Sequence, residues 1–147
     1  MVKLKIIYTS LIILCLIPGS KISLGQTYGK LYTKADGEKL YGTVTKSFRF
    51  SSEEFSSFLE QTDNVLMFKI NDNKLFILGD GRTPIYPVNA IVSTIEVFSV
   101  YSILLIRELI DRGKSNMTYF EKRGNILTIA NGEYLLEYGL PCPPVCP

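Results

Sequence analysis

Between Ile95 and Arg112 the apolar residues recur at helical spacing. Phe98, Ile103, Leu105, Ile106, Leu109 and Ile110 share one side of a 3.6-residue turn, while Arg107, Glu108, Asp111 and Arg112 share the other. This spacing predicts a long amphipathic helix over 95–112. After Lys114 the period changes to two, which predicts a helix packed on an antiparallel sheet. Asn131-Gly132 stands between two alternating runs, a strong hairpin signal. With those two residues as the loop, Ile129 faces Tyr134 and Leu127 faces Leu136. Taking Gly124-Asn125 as a second two-residue loop sets Phe120 opposite Ile129. Both turns give the same apolar face and point Glu121, Arg123, Thr128 and Glu137 outward. Whether that outward face, with Ile126 and Leu135 also on it, is bare or lies under the first helix decides if it is a partner surface.

Upstream the elements are shorter. Residues 26–42 read as a helix with Thr33 as N-cap, Asp36 in the first turn and Gly42 at the stop. Gly37 within it costs about 1 kcal/mol relative to Ala. Residues 43–50 alternate loosely, with Val44, Phe48 and Phe50 on one side of a strand. Ser51 precedes Glu54 by three residues, a capping-box pattern, and Phe55, Phe58 and Leu59 follow at helical spacing to about Gln61. Residues 65–70 and 74–78 read as strands joined through Asn71-Asp72-Asn73. Gly79 to about Asn89 reads as a loop. The segment 83–106 carries a single charge, Glu96, and invites comparison with a membrane span. Pro84, Pro87 and the central Glu96 favour a buried strand leading into the helix.

These elements predict one α+β domain over 26–140. Its mostly antiparallel sheet has five to six strands, ends in the three-stranded meander, and packs against one long and one or two short helices. The order of two strands, a helix and three strands resembles that of roadblock or profilin-like domains. That resemblance concerns element order alone and implies no activity.

The first residues change the picture of charge and compartment. Lys3 and Lys5 precede an apolar run from Ile6 to Ile17, and Pro18-Gly19-Ser20 breaks it. These are the parts of a secretory signal peptide, with Ser23 and Gly25 placing the cut before Gln26. Twelve residues are short for a membrane span of about 20. Cys15 raises the possibility of a lipoprotein, which the bulky Leu14 before it disfavours. Removing 1–25 takes Lys3, Lys5 and Lys21 and no acid. The 16 Lys and Arg become 13 against 14 Asp and Glu, so net charge moves from +2 to −1. A near-neutral domain lacks the concentrated basic face that nucleic acid requires.

Cys142 and Cys146 are then the remaining thiols, in a Cys/Pro-rich tail over 141–147. In an oxidising compartment they are expected to form a disulfide. A thiolate metal pair, a redox dithiol and heme ligation are the alternatives. Three intervening residues instead of two, and no nearby His or third Cys, disfavour them.

The chain has no histidine, which removes the usual general base and the Ser-His and Cys-His pairs. Asp80, Arg82 and Tyr86 form the candidate ligand loop. An Arg beside glycines can grip a carboxylate or phosphate with Asp80 orienting it, whereas the plainer expectation is Asp80 bonded within its own turn. Glu53 and Glu54 are explained by helix capping and are not taken as a catalytic pair. Tyr134 and Tyr138 are assigned to the core face of the last strand. Tyr28, Tyr32 and Tyr41 are either core or a sticky surface, with core favoured. Asn116-Met117-Thr118 fits a glycosylation acceptor.

The expectation is therefore a small secreted or periplasmic protein, non-catalytic, that binds or associates structurally. It is expected to use no cofactor or metal, to meet an unknown protein or small ligand, and to keep no membrane span after cleavage. A His-free, carboxylate-based hydrolase at the Asp80/Arg82 loop is one alternative, and a thiol redox or metal-handling protein using Cys142 and Cys146 is the other. Asp80→Ala and Arg82→Ala are expected to leave folding intact.

Overall fold

The computed structural model describes residues 27–137 and 139–142. The signal-peptide expectation for 1–25, the residues Tyr138 and Cys146, and most of the 141–147 tail lie outside them. The described chain is an α+β fold with two antiparallel five-stranded sheets and three helices. In order the elements are β1 (Lys30–Thr33), α1 (Lys34–Tyr41), β2 (Lys46–Ser51), α2 (Ser52–Leu59), β3 (Val65–Asn71), β4 (Lys74–Leu78), a 3-10 turn (Asp80–Arg82), β5 (Pro84–Tyr86), β6 (Phe98–Ser102), α3 (Ile103–Gly113), β7 (Met117–Arg123), β8 (Ile126–Asn131), β9 (Tyr134–Glu137) and β10 (Leu140–Cys142). The first sheet runs β1-β9-β8-β7-β2 and the second β10-β6-β3-β4-β5. The two strands and the three strands of the roadblock-like order thus belong to different sheets.

The main core lies where Phe120, Ile129 and Leu136 of the first sheet meet Leu66, Phe68 and Tyr101 of the second, closed by Phe55 of α2 and Ile106 and Leu109 of α3. A second cluster covers the other face of the second sheet, with Met67, Leu78, Phe98 and Val100 under Tyr28 and Cys142. Strands buried on both faces lose the alternation that marks half-exposed ones. That explains the largest difference from the sequence expectation. The predicted helix over 95–112 begins only at Ile103, because 98–102 pair with β3, Val65 opposite Ser102 and Met67 opposite Val100. Ser102 caps nothing with its side chain, whose Oγ accepts from Tyr28 N at 2.6 Å. The apolar stripe of α3 holds, with Ile103, Ile106 and Leu109 buried and Leu105 and Ile110 packed beside them.

Other local signals act as their chemistry dictates. Thr33 Oγ1 accepts from Asp36 N, and Gly42, at φ 82°, closes α1 on Glu38 O. The turn before Thr33 is strand instead of helix, since 30–33 pair with β9. The capping box is complete, Ser51 Oγ accepting from Glu54 N at 3.2 Å and Glu54 Oε2 from Ser51 N at 2.8 Å. Val44 falls before β2 and stays exposed. The expected loop over 79–89 contains β5, a short edge strand opening on a proline, where a missing N–H costs no ladder bond.

In the meander, Phe120 opposes Ile129 as expected. The last hairpin is shifted by two residues, with Ile129 opposite Leu136, Asn131 opposite Tyr134, and Gly132-Glu133 as the turn. A shift of two keeps every side chain on its face. Asn131 is withheld from the turn by its side chain. It is fully buried, Nδ2 donates to Thr118 Oγ1 and Met117 O, and Oδ1 accepts from Ser115 N.

Of the two alternatives for the outward face that carries Glu121, Arg123, Thr128 and Glu137, the covered one holds. All four are buried, because α1 crosses that face. Gly37 lets the helix sit against Leu135. Two of these charges are paired with each other: Arg123 donates to Glu121 Oε2 at 2.8 Å, and also to Gly42 O at 2.9 Å.

Candidate functional site

The turn after β4 organises the most unusual surface of the molecule. The Asp80 carboxylate neither orients Arg82 nor bonds within its own turn, which is closed instead by Thr83 N and Oγ1 donating to Asp80 O. Its Oδ2 accepts from Asp63 N, Asn64 N and Asn64 Nδ2, and its Oδ1 from Val65 N, at 3.0–3.1 Å. Partial burial pushes this carboxyl upward, but the four donors outweigh that and hold it below its ordinary value. Asp80 is therefore a clamp that fixes the entry to β3.

Arg82, at φ 62°, turns the other way. Nη1 donates to Cys142 O at 3.2 Å and lies 3.4 Å from Cys142 Sγ. Nη2 donates to Ser93 O at 3.1 Å and Glu96 O at 2.9 Å, and the guanidinium lies over the Phe98 ring. One cation thus ties the β5–β6 loop, residues 87–97, to the C-terminal strand. Glu96 adds to the tie, receiving Lys69 Nζ at 3.0 Å and Ser93 N at 3.4 Å, and these bonds hold its carboxyl below the ordinary range. Val92 packs into the second apolar cluster.

The rest of this pinned loop faces water. Val88 is 73% exposed, Ile91 99%, Ile95 80% and Val97 52%. Single exposed apolar residues are ordinary, but four branched ones on one ordered loop are not. The sequence pattern placed Val88 in a loop and the residues that follow in a buried strand leading into the helix; the strand begins only at Phe98, and Ile91, Ile95 and Val97 stand in water before it. The four exposed branched residues within 88–97 were the available signal.

Tyr86 has contacts separate from those of Asp80 and Arg82. Its ring meets Phe50 edge-on at 5.4 Å and lies 5.9 Å from Phe58. With Phe48, Asn73, Lys74, Leu75, Phe76 and Pro87 it lines a groove of about 380 Å³ at the seam of the two sheets.

The remaining candidates take the following places in the fold. Tyr28 is buried, Tyr32 and Tyr41 meet edge to face at 5.7 Å, and Tyr134 packs against the core. Burial raises the Tyr41 hydroxyl, with Tyr32 and Glu137 adding to the shift. Glu54 caps α2, and Glu53 lies beside it in the first turn. Asn116 is exposed, while Thr118 of the same acceptor motif is buried and bonded to Asn131. Cys142 is buried at the end of β10, paired to Phe98 in register. Among the described residues no three His, Cys, Asp or Glu side chains converge as a metal ligand set, and no helix is long and apolar enough to cross a membrane. Comparison of the chain with protein-family models, with curated protein sequences and with solved structures finds no match in any of the three.

Proposed function

We propose that the chain is a small exported binding domain whose working surface is the 87–97 loop, and that it acts by association instead of catalysis. One observation carries this: Val88, Ile91, Ile95 and Val97 stand in solvent on a loop whose backbone Arg82 and Glu96 hold in place. A pre-ordered apolar loop loses little conformational entropy when a partner covers it, so most of the burial energy becomes affinity. Export rests on the basic-then-apolar opening of the sequence, and the Cys142–Cys146 disulfide follows from that compartment. The hydrolase alternative needs Asp80 and Arg82 as reacting groups. Both spend their polar atoms on backbone, which favours a positioning role.

Ile91→Asp with Ile95→Asp tests the proposal. Both side chains stand largely in water, so the melting temperature should stay within a few degrees of wild type. The wild-type mature protein should self-associate with concentration in sedimentation velocity, or float with phosphatidylcholine vesicles, and the double variant should do neither. A wild type that remains monomeric and vesicle-free, with loop amides exchanging as fast as those of an unfolded peptide, overturns it.

A further inference from the structure

We propose that the groove at the seam of the two sheets is a separate ligand site for a small apolar molecule carrying one carboxylate. The fold itself leaves it open. β5 pairs with β4 only at Ile77 and Leu78 and ends at Tyr86, so Lys74 to Phe76 have no strand on that side among the described residues. β2 of the other sheet approaches across the gap, bringing Phe48, and Lys46 Nζ donates to Asn73 Oδ1. The result is a concavity of about 380 Å³. That is within the range of small-molecule clefts, about 300–1,000 Å³, and too small for a folded partner.

The walls are Phe48, Leu75, Phe76, Tyr86 and Pro87, which offer ring faces and edges and no acid. The polar groups gather at the end nearest the β3–β4 turn. There Lys74 lines the groove, with Asn73 beside it and the Lys46 ammonium on Asn73. Lys74 forms no ion pair among the described residues, and Asp72, the nearest acid in the turn, is not part of the lining. Apolar walls with cations at one end complement an amphiphile whose head is negative. A neutral ligand would leave that end unused, and a cation would be repelled by it. This site does not depend on the 87–97 loop acting as a binding surface.

Titration of the isotope-labelled mature protein with dodecanoate, kept below its micelle concentration, tests the proposal, with dodecanol as the uncharged match. Dodecanoate should shift the amide resonances of Phe48, Asn73 to Phe76 and Tyr86 in a saturable way. Dodecanol should bind the same residues roughly threefold more weakly, the scale of a rim ion pair. Lys74→Gln should bring the acid down to the alcohol, while Lys39→Gln, an exposed lysine on α1, should change nothing. Shifts confined to the 87–97 loop, no saturable shift in the groove, or equal affinity for acid and alcohol would each overturn it.

Discussion

Gly37 of α1 lies against Leu135 of β9 so closely that a methyl group built on the glycine would overlap Leu135 Cδ2. A glycine inside a helix costs about 1 kcal/mol relative to alanine, and here that cost secures the contact between helix and sheet. Gly37→Ala should therefore destabilise the protein by about 1–3 kcal/mol despite alanine's better helix propensity. Urea unfolding measures this, and Leu135→Ala should restore part of the loss in the double variant. A Gly37→Ala protein more stable than wild type would mean that α1 does not pack there.

Beneath the same helix, Glu121 and Arg123 form an ion pair with side chains 8% and 5% exposed. Removing one charge from such a pair strands the other, and Glu121→Leu or Arg123→Met alone should cost about 3–5 kcal/mol. Replacing both should return most of that, because well-packed apolar side chains avoid the desolvation of two ions. The coupling between the two changes in a denaturation double-mutant cycle is the measurement.

Asp80 gives a prediction with a sign in pH. Its carboxyl is held below the ordinary 3.8 by N–H groups of residues 63–65. A depressed folded-state value means that its contribution is present above about pH 4 and is lost as pH falls through the folded value. Asp80→Asn should cost about 1–2 kcal/mol at neutral pH, a figure reduced because water reaches part of the site. The gap to wild type should narrow as pH falls below 3.8. A gap independent of pH would mean that packing, and not the ionised carboxylate, holds the turn. The sequence alone suggested that Asp80→Ala and Arg82→Ala would be silent in folding. The contacts in the structure lead to the opposite prediction, a loss of stability for both, since each side chain closes hydrogen bonds that no other described side chain supplies.

Much of the fold could be read from local chemistry. The Ser51–Glu54 capping box, the Thr33 cap, the Gly42 stop and the apolar face of the meander all depend on residues near one another in the chain. β1 and β6 could not be read this way. Residues 30–33 become a strand through pairing with β9, more than a hundred residues away, and 98–102 through pairing with β3. The candidate site divides along the same line. The sequence singled out Asp80, Arg82 and Tyr86, but the structure sends them to three different tasks. Their partners at 63–65, at 93, 96 and 142, and at 50 and 58 leave no local trace.

By itself the sequence determined the class of fold, which side of each meander strand meets the core, and which residues cap the short helices, because period and capping act within a few residues. The tertiary structure alone decided that the strands form two sheets, that α1 roofs a charged face, and that four branched side chains on the 87–97 loop remain in water. Which surfaces are covered depends on what the rest of the chain brings to them, and burial energy is settled only when both sides of a contact are in place.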